Sequence, residues 1–169
     1  MKKAIFCKTF LALLSLIFIT LSSFNVNAQR AGFSGDWKLD EAKSELGEFG
    51  GRVARSVKAD QKEEAITVVK VMPGFNGGDP ITTTVTLTYD GKVAESEGFG
   101  GSKRKSTAKW SDDGKTLIIN TTMNFERDGQ SFEFKSTENW TITKEGLLQV
   151  TTNSTSPRGD STTKAVYSK

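Results

Sequence analysis

Apolar residues recur at every second position through most of the chain beyond residue 32, and that period decides what the chain can fold into. Phe33, Trp37 and Leu39 fall on one face of a segment whose other face carries Ser34, Asp36 and Lys38. The segment 81–89 sets Ile81, Val85, Leu87 and Tyr89 against Thr82, Thr84, Thr86 and Thr88. Leu117, Ile119, Met123 and Phe125 alternate with Ile118, Asn120, Thr122 and Asn124, and Phe132, Phe134, Trp140 and Ile142 share a parity further on. Side chains of a strand point alternately to its two faces, so this is the pattern of antiparallel strands with one buried and one wet face.

Turn signals interrupt the pattern at Asp90-Gly91, Asp112-Asp113-Gly114, Asp128-Gly129 and Glu145-Gly146. Between them the sequence predicts strands near 33–40, 52–59, 64–72, 81–89, 92–98, 102–110, 116–125, 131–143, 147–153 and 161–168. One short helix is expected over EAKSEL (41–46), with Asp40 as its N-cap and Gly47 following its last turn. Consecutive short strands joined by tight turns predict one all-β domain over 29–169, an up-and-down antiparallel barrel of 8–10 strands. Closing the meander removes its exposed edges, and a two-sheet sandwich is the alternative. Barrels of about this strand number hold one small ligand.

Residues 1–28 read as a cleaved signal peptide. Lys2 and Lys3 precede an apolar stretch from Ala4 to about Phe24, and Val26-Asn27-Ala28 supplies small residues before Gln29. Lys8, Thr9, Ser15 and Thr20 interrupt the stretch, which argues against a retained membrane anchor. The leader is of bacterial type. The expected location is therefore secreted or periplasmic, with no stable membrane insertion once the leader is removed.

Removing the leader changes the charge. It holds three of the 23 basic residues and none of the 20 acidic ones, which leaves 20 of each sign. No positive excess remains to neutralise phosphates, so no nucleic-acid partner is expected. The one cysteine, Cys7, leaves with the leader, and histidine is absent throughout. Zinc, copper and haem sites and Ser-His-Asp or Cys-His catalysis depend on those residues and are excluded; calcium binding is left open, but nothing resembles the D-x-[DN]-x-[DN]-G loop, so no metal, cofactor or catalytic set is expected. Carboxylate chemistry is left open: Glu138 or Glu95 beside an inward arginine has the means for acid–base work, although no spacing singles out a pair. The expected protein is not an enzyme. Nothing in the sequence sets its oligomeric state.

A phenylalanine beside a Gly-Gly pair occurs in GEFGG (47–51), GFNGG (74–78) and EGFGG (97–101). Successive connections of a meander alternate between its two ends, and these three are connections one, three and five. Phe49, Phe75 and Phe99 therefore share one rim, opposite the short charged turns of connections two, four, six and eight. Long glycine-rich loops at one end and tight turns at the other describe a mouth and a base. The rings are expected either to form an apolar lip at the mouth or to fold inward as plugs.

Charged residues share parity with apolar ones at three places. Arg55 alternates with Val53 and Val57, Arg104 with Ser106, Ala108 and Trp110, and Glu138 with Phe134 and Trp140. A buried charge needs a partner, so Arg55 or Arg104 is expected either to pair with Glu138 or to meet an anionic group, unless a bulge returns them to solvent. Lys103, Lys105 and Lys109 on the other face read as a solvated stripe.

The stretch FSGDWKL (33–39), with Gly35-Asp36-Trp37 on the first strand, resembles the opening of calycin barrels, the lipocalins and fatty-acid-binding proteins. The resemblance implies a barrel whose base is plugged by Trp37. The ending VYSK (166–169) is similar to the fatty-acid-binding-protein ending, in which Arg-x-Tyr holds a carboxylate. Tyr167 matches the tyrosine, but Ala165 stands at the arginine's position and Lys164 has the opposite parity, so the clamp is not carried over. The expected function is binding of a small apolar or amphipathic molecule through the mouth lined by Phe49, Phe75 and Phe99. Trp110, Phe134 and Tyr167 would meet its apolar part, and Arg55 or Arg104 any negative group. The alternative is an interaction module with a solid core, whose apolar rim docks a protein or envelope partner.

Overall fold

The strands follow one another in the order of the chain: β1 (Gly35–Leu39), β2 (Ser56–Gln61), β3 (Ala65–Met72), β4 (Ile81–Thr88), β5 (Ala94–Glu97), β6 (Lys103–Trp110), β7 (Leu117–Arg127), β8 (Gln130–Ile142), β9 (Leu148–Ser156) and β10 (Gly159–Ser168). The computed structural model describes residues 29–74, 77–98, 102–127, 129–157 and 159–169. All ten strands lie in one sheet of order β4-β3-β2-β1-β10-β9-β8-β7-β6-β5. Chain neighbours pair antiparallel throughout, with β4 and β5 the exception, and β1 pairs with β10 through Lys38↔Ser168 and Leu39↔Tyr167. The result is an up-and-down barrel, nearly closed, whose two remaining edges β4 and β5 approach each other without a ladder.

The segment after β1 differs from the expected helix. Asp40 caps a 3₁₀ turn as anticipated, its carboxylate accepting from the Lys43 amide at 3.3 Å, but the turn covers only Glu41–Lys43. The backbone of Glu45 instead pairs with Lys164 of β10, each amide donating to the other's carbonyl at 2.8 Å. Two ladder bonds capture the chain where a second helical turn would have begun. Gly47 then opens a further 3₁₀ turn, Gly47–Arg52, so β2 starts at Ser56, four residues later than the alternation implied.

At the end carrying the even connections the core is solid. Phe33, Trp37, Ile66, Leu87, Leu117, Trp140 and Leu148 are all 2% exposed or less. Trp37 donates its indole N–H to the Phe33 carbonyl at 2.8 Å, which satisfies its one polar atom. The Phe33 ring stacks on Trp110 at 5.5 Å and meets Trp140 edge-on at 5.9 Å. Residues 30–33 pass beneath the barrel as a strap. Ala31 donates to the Gly114 carbonyl, Gln61 bonds both Phe33 N and Ala31 O, and the Arg30 guanidinium lies over Tyr89 and Trp110 at 5.1 and 5.6 Å. Trp37 thus plugs the base, and Phe33 does so with it.

Candidate functional site

The register of β6 to β10 arranges the inward side chains in layers from base to mouth. The lowest layer is Trp110, Leu117, Trp140, Val150 and Ala165, and the next is Ala108, Ile119, Glu138, Thr152 and Thr163. Above it come Ser106, Thr121, Ser136, Ser154 and Ser161, and then Arg104, Met123 and Phe134. Polarity therefore changes within a single layer, from aromatic and aliphatic to hydroxyl-bearing. Exposure changes near the same height, although Trp110 is partly exposed and Ser106 and Thr163 are buried. Trp140 is 0% exposed, whereas Thr121, Met123, Phe134, Ser136, Thr152 and Ser154 are all partly open to solvent.

Glu138 sits at the boundary. From β3, five strands away around the ring, Lys70 reaches across and donates to both carboxylate oxygens at 2.5 and 2.6 Å. Trp140 donates its indole N–H to Oε2 at 2.8 Å, and the Lys70 ammonium lies 5.6 Å from the Trp140 ring centroid. Both charged side chains are mostly buried, at 23% and 16% exposed. Burial alone pushes the Glu138 pKa up, but the Lys70 charge, the hydrogen bonds from Lys70 and Trp140, and the Arg104 charge outweigh it. The net direction is down, and the carboxylate stays ionised.

Of the residues singled out in the sequence, Glu138, Arg104 and Phe134 line the upper lumen together. No hydrogen bond or ion pair holds the Arg104 guanidinium among the described residues. Tyr167 is buried on β10 beside Leu148; burial raises its pKa, the Glu138 charge adds to this, and Arg55 opposes it. Ala165 faces inward and Lys164 outward onto Glu45 at 2.9 Å, so neither supplies the arginine of the resembling clamp. Trp110 lies in the base, below the ion pair. Phe75 and Phe99, and the side chain of Phe49, fall outside the described residues.

For Arg55 the inward alternative is corrected and the bulge alternative holds. It is exposed at the end of the barrel, paired with Glu41 rather than Glu138. Its amide bonds the Val71 carbonyl while Ser56 is the register partner of Val71, so two residues stand against one. Ala54 and Val57 are buried around this irregularity, and Arg55 is turned out.

The true partner of Glu138, Lys70, escaped the sequence because it sits in AITVVKVM, where Val69 and Val71 are apolar on one parity and Val68 and Met72 on the other. Alternation assigns no face in such a run. A stacked pair, Phe125 and Phe132 at 5.4 Å, adds aromatic surface near the mouth end of β7 and β8. The lysine stripe lies outside, where Lys105 and Lys103 stand opposite Glu95 and Glu97. A polar depression of about 330 Å³ on β8, β9 and β10, bordered by Thr137, Asn153 and Thr162, has no aromatic wall. Among the described residues no three His, Cys, Asp or Glu gather as metal ligands, and no helix is long and apolar enough to cross a membrane.

Ten antiparallel strands in chain order, a Gly-x-Trp strand entering at a tryptophan-plugged base and two short 3₁₀ turns after it, with no longer helix among the described residues, define a calycin-type barrel. The fold is similar to that of zebrafish ileal bile acid-binding protein, solved in complex with cholic acid, with a TM-score of 0.50 and 18% sequence identity. The likeness covers 82% of this chain and 99% of that one. No family model and no curated protein sequence matches the chain.

Proposed function

We propose that this protein is an exported lipocalin-like carrier that takes one small amphipathic molecule into the upper half of its barrel. The observation that carries the reading is the step near Glu138: below it most inward side chains are buried, and above it Arg104, Thr121, Met123, Phe134, Ser136 and Ser154 are partly exposed and chemically mixed, with Ser106 buried among them. Met123 and Phe134 offer apolar contact, the serine and threonine layer offers hydrogen bonds, and Arg104 offers a cation to a negative group. A fold shared with a protein solved around cholic acid supports the same reading. The connections that carry Phe49, Phe75 and Phe99 follow β1, β3 and β5 at the mouth end, and binding rather than catalysis is the mouth's task. The leader over 1–28 sends the chain to the periplasm or beyond.

Native mass spectrometry of the purified protein before and after organic extraction tests this. An added mass lost on extraction, with uptake of a fluorescent lipid probe by the extracted protein, is the expected result. A bare chain that takes up no probe would sink it. The stacked Phe125–Phe132 pair, with Phe125 37% exposed, favours one further reading, in which the rim docks a partner protein. There, Phe75→Ser with Phe125→Ser abolishes capture of that partner, and probe binding is absent in every variant.

A further inference from the structure

We propose that the Lys70–Glu138 pair is a floor: it fixes how deep a ligand goes and which end goes first. The inference rests on the carrier reading above and narrows it to a ligand class. The pair bridges opposite walls of the ring, and the Trp140 ring lies beside the Lys70 ammonium with the packed base beyond it. To pass, a ligand has to separate two charges that are largely removed from water. Breaking such a pair costs roughly a hundredfold to several thousandfold in an equilibrium constant. A buried methylene returns only about fourfold. A plain alkyl tail therefore stops above the pair.

The same floor decides polarity. A group resting on it faces Thr152, Thr163 and the Ser106–Thr121 pair, whose hydroxyls lie 2.9 Å apart. Ser106 and Thr163 are buried, so it is from the partly open Thr121 and Thr152 that an apolar end placed there strips water while returning no hydrogen bond. The ligand class is thus a compact amphiphile that carries hydroxyl or comparable hydrogen-bonding groups at its inner end. Its apolar body is left for Met123 and Phe134 nearer the mouth.

Two probe series test the floor by displacement of a bound fluorophore. Alkyl maltosides from octyl to tetradecyl have heads too large to enter, so they present the tail first. In the wild type their affinity levels off as the tail lengthens. In the double variant Lys70→Met/Glu138→Gln, which removes both charges and keeps an acceptor for Trp140, affinity keeps rising, by about fourfold per methylene. In the wild type 1,2-decanediol binds about threefold to tenfold tighter than decane-length probes lacking the second hydroxyl.

Should the double variant fail to fold, the wild type decides alone. Intermolecular NOEs from the bound maltoside tail to the methyls of Thr121, Met123 and Thr152 are expected. NOEs to Leu117, Val150 or Ile66 overturn the floor, as does a wild-type affinity that climbs without levelling. If the wild type binds neither series, the carrier reading falls and takes the floor with it. If both series bind and tails pass the pair, the carrier stands and only the floor falls.

Discussion

The two halves of this barrel use the same alternation to opposite ends. Below Glu138 the inward positions are Trp37, Phe33, Trp140, Ile66 and Leu87, all nearly inaccessible, and a strap from residues 30–33 seals them. Above it the inward positions of neighbouring strands are Ser, Thr, Met, Phe and Arg, and all of those on β7 to β9 and Arg104 are partly open to water, with Ser106 the buried exception. The base does the work of folding, and this frees the upper half from it. Hydroxyls can stay unburied there only because stability is supplied elsewhere.

That division predicts a large asymmetry in single substitutions. Trp37→Ala removes a buried ring together with the indole bond to the Phe33 carbonyl, so a loss of about 3–5 kcal/mol is expected. Phe134→Ala, at a partly exposed position of the upper half, should cost no more than about 1 kcal/mol. Urea unfolding at neutral pH measures both. Equal losses would show that the upper half is packed as tightly as the base.

The boundary itself comes next. Lys70→Met leaves the Glu138 carboxylate buried with Trp140 and the more distant Arg104 for company, and the expected loss is about 3 kcal/mol at pH 7. The sign with pH follows from the carboxyl. In the wild type its pKa is lowered from 4.5, so the stability it contributes is present above that value and is lost as pH falls through the lowered one. In the variant burial pushes the carboxyl the other way. The gap between the two proteins is therefore widest at neutral pH and narrows in acid. A gap independent of pH would mean that the lysine's packing, not its charge, braces the walls.

How much of this was legible beforehand varied with the local chemistry. The period-two pattern in Phe33–Leu39, Ile81–Tyr89 and Leu117–Phe125 could be read because each strand has one polar face, and the acidic Gly turns fixed the ends. The parity of the connections followed, and the tryptophan plug was legible through the resemblance of FSGDWKL. Glu138 was legible as an inward charge because Phe134 and Trp140 flank it at even spacing. Its partner was not, since Lys70 sits among valines on both parities. Arg55 took the bulge alternative, which shifts the phase by one residue, and nothing in GGRVARSV chooses between it and an inward arginine. The early end of the 41–46 helix was hidden for another reason: the Glu45–Lys164 bridge joins residues 119 apart in the chain.

A smaller effect separates the two tyrosines from an ordinary pair. Tyr89 and Tyr167 are the protein's only tyrosines. Burial pushes Tyr89 up to about 12, partly offset by Arg30, and raises Tyr167 as well. A raised phenol contributes stability that is full below pH 10 and is lost as pH climbs through its folded value. Absorbance at 295 nm should therefore show no phenolate step near pH 10 in the folded protein, and unfolding should accompany the step when it comes. Tyr89→Phe also removes a buried hydroxyl that has no hydrogen-bond partner among the described residues, so its stability at neutral pH should be unchanged or up to about 1 kcal/mol higher. A loss above that would reveal a partner for the hydroxyl.

The smallest expected effect lies on the outer surface, where neither half of the barrel is involved. Lys164 pairs with Glu45 at 2.9 Å, but the two side chains are 38% and 76% exposed and water screens them. Lys164→Ala should cost no more than about 0.5 kcal/mol, because the backbone bridge between the same two residues survives the substitution. Raising the salt concentration should leave that small cost unchanged or reduce it. A cost above about 1 kcal/mol would assign the side-chain pair a part in holding the 3₁₀ segment against β10. The stability of the barrel would then draw on its outer surface as well as its packed base, and the contrast between its halves would no longer account for it alone.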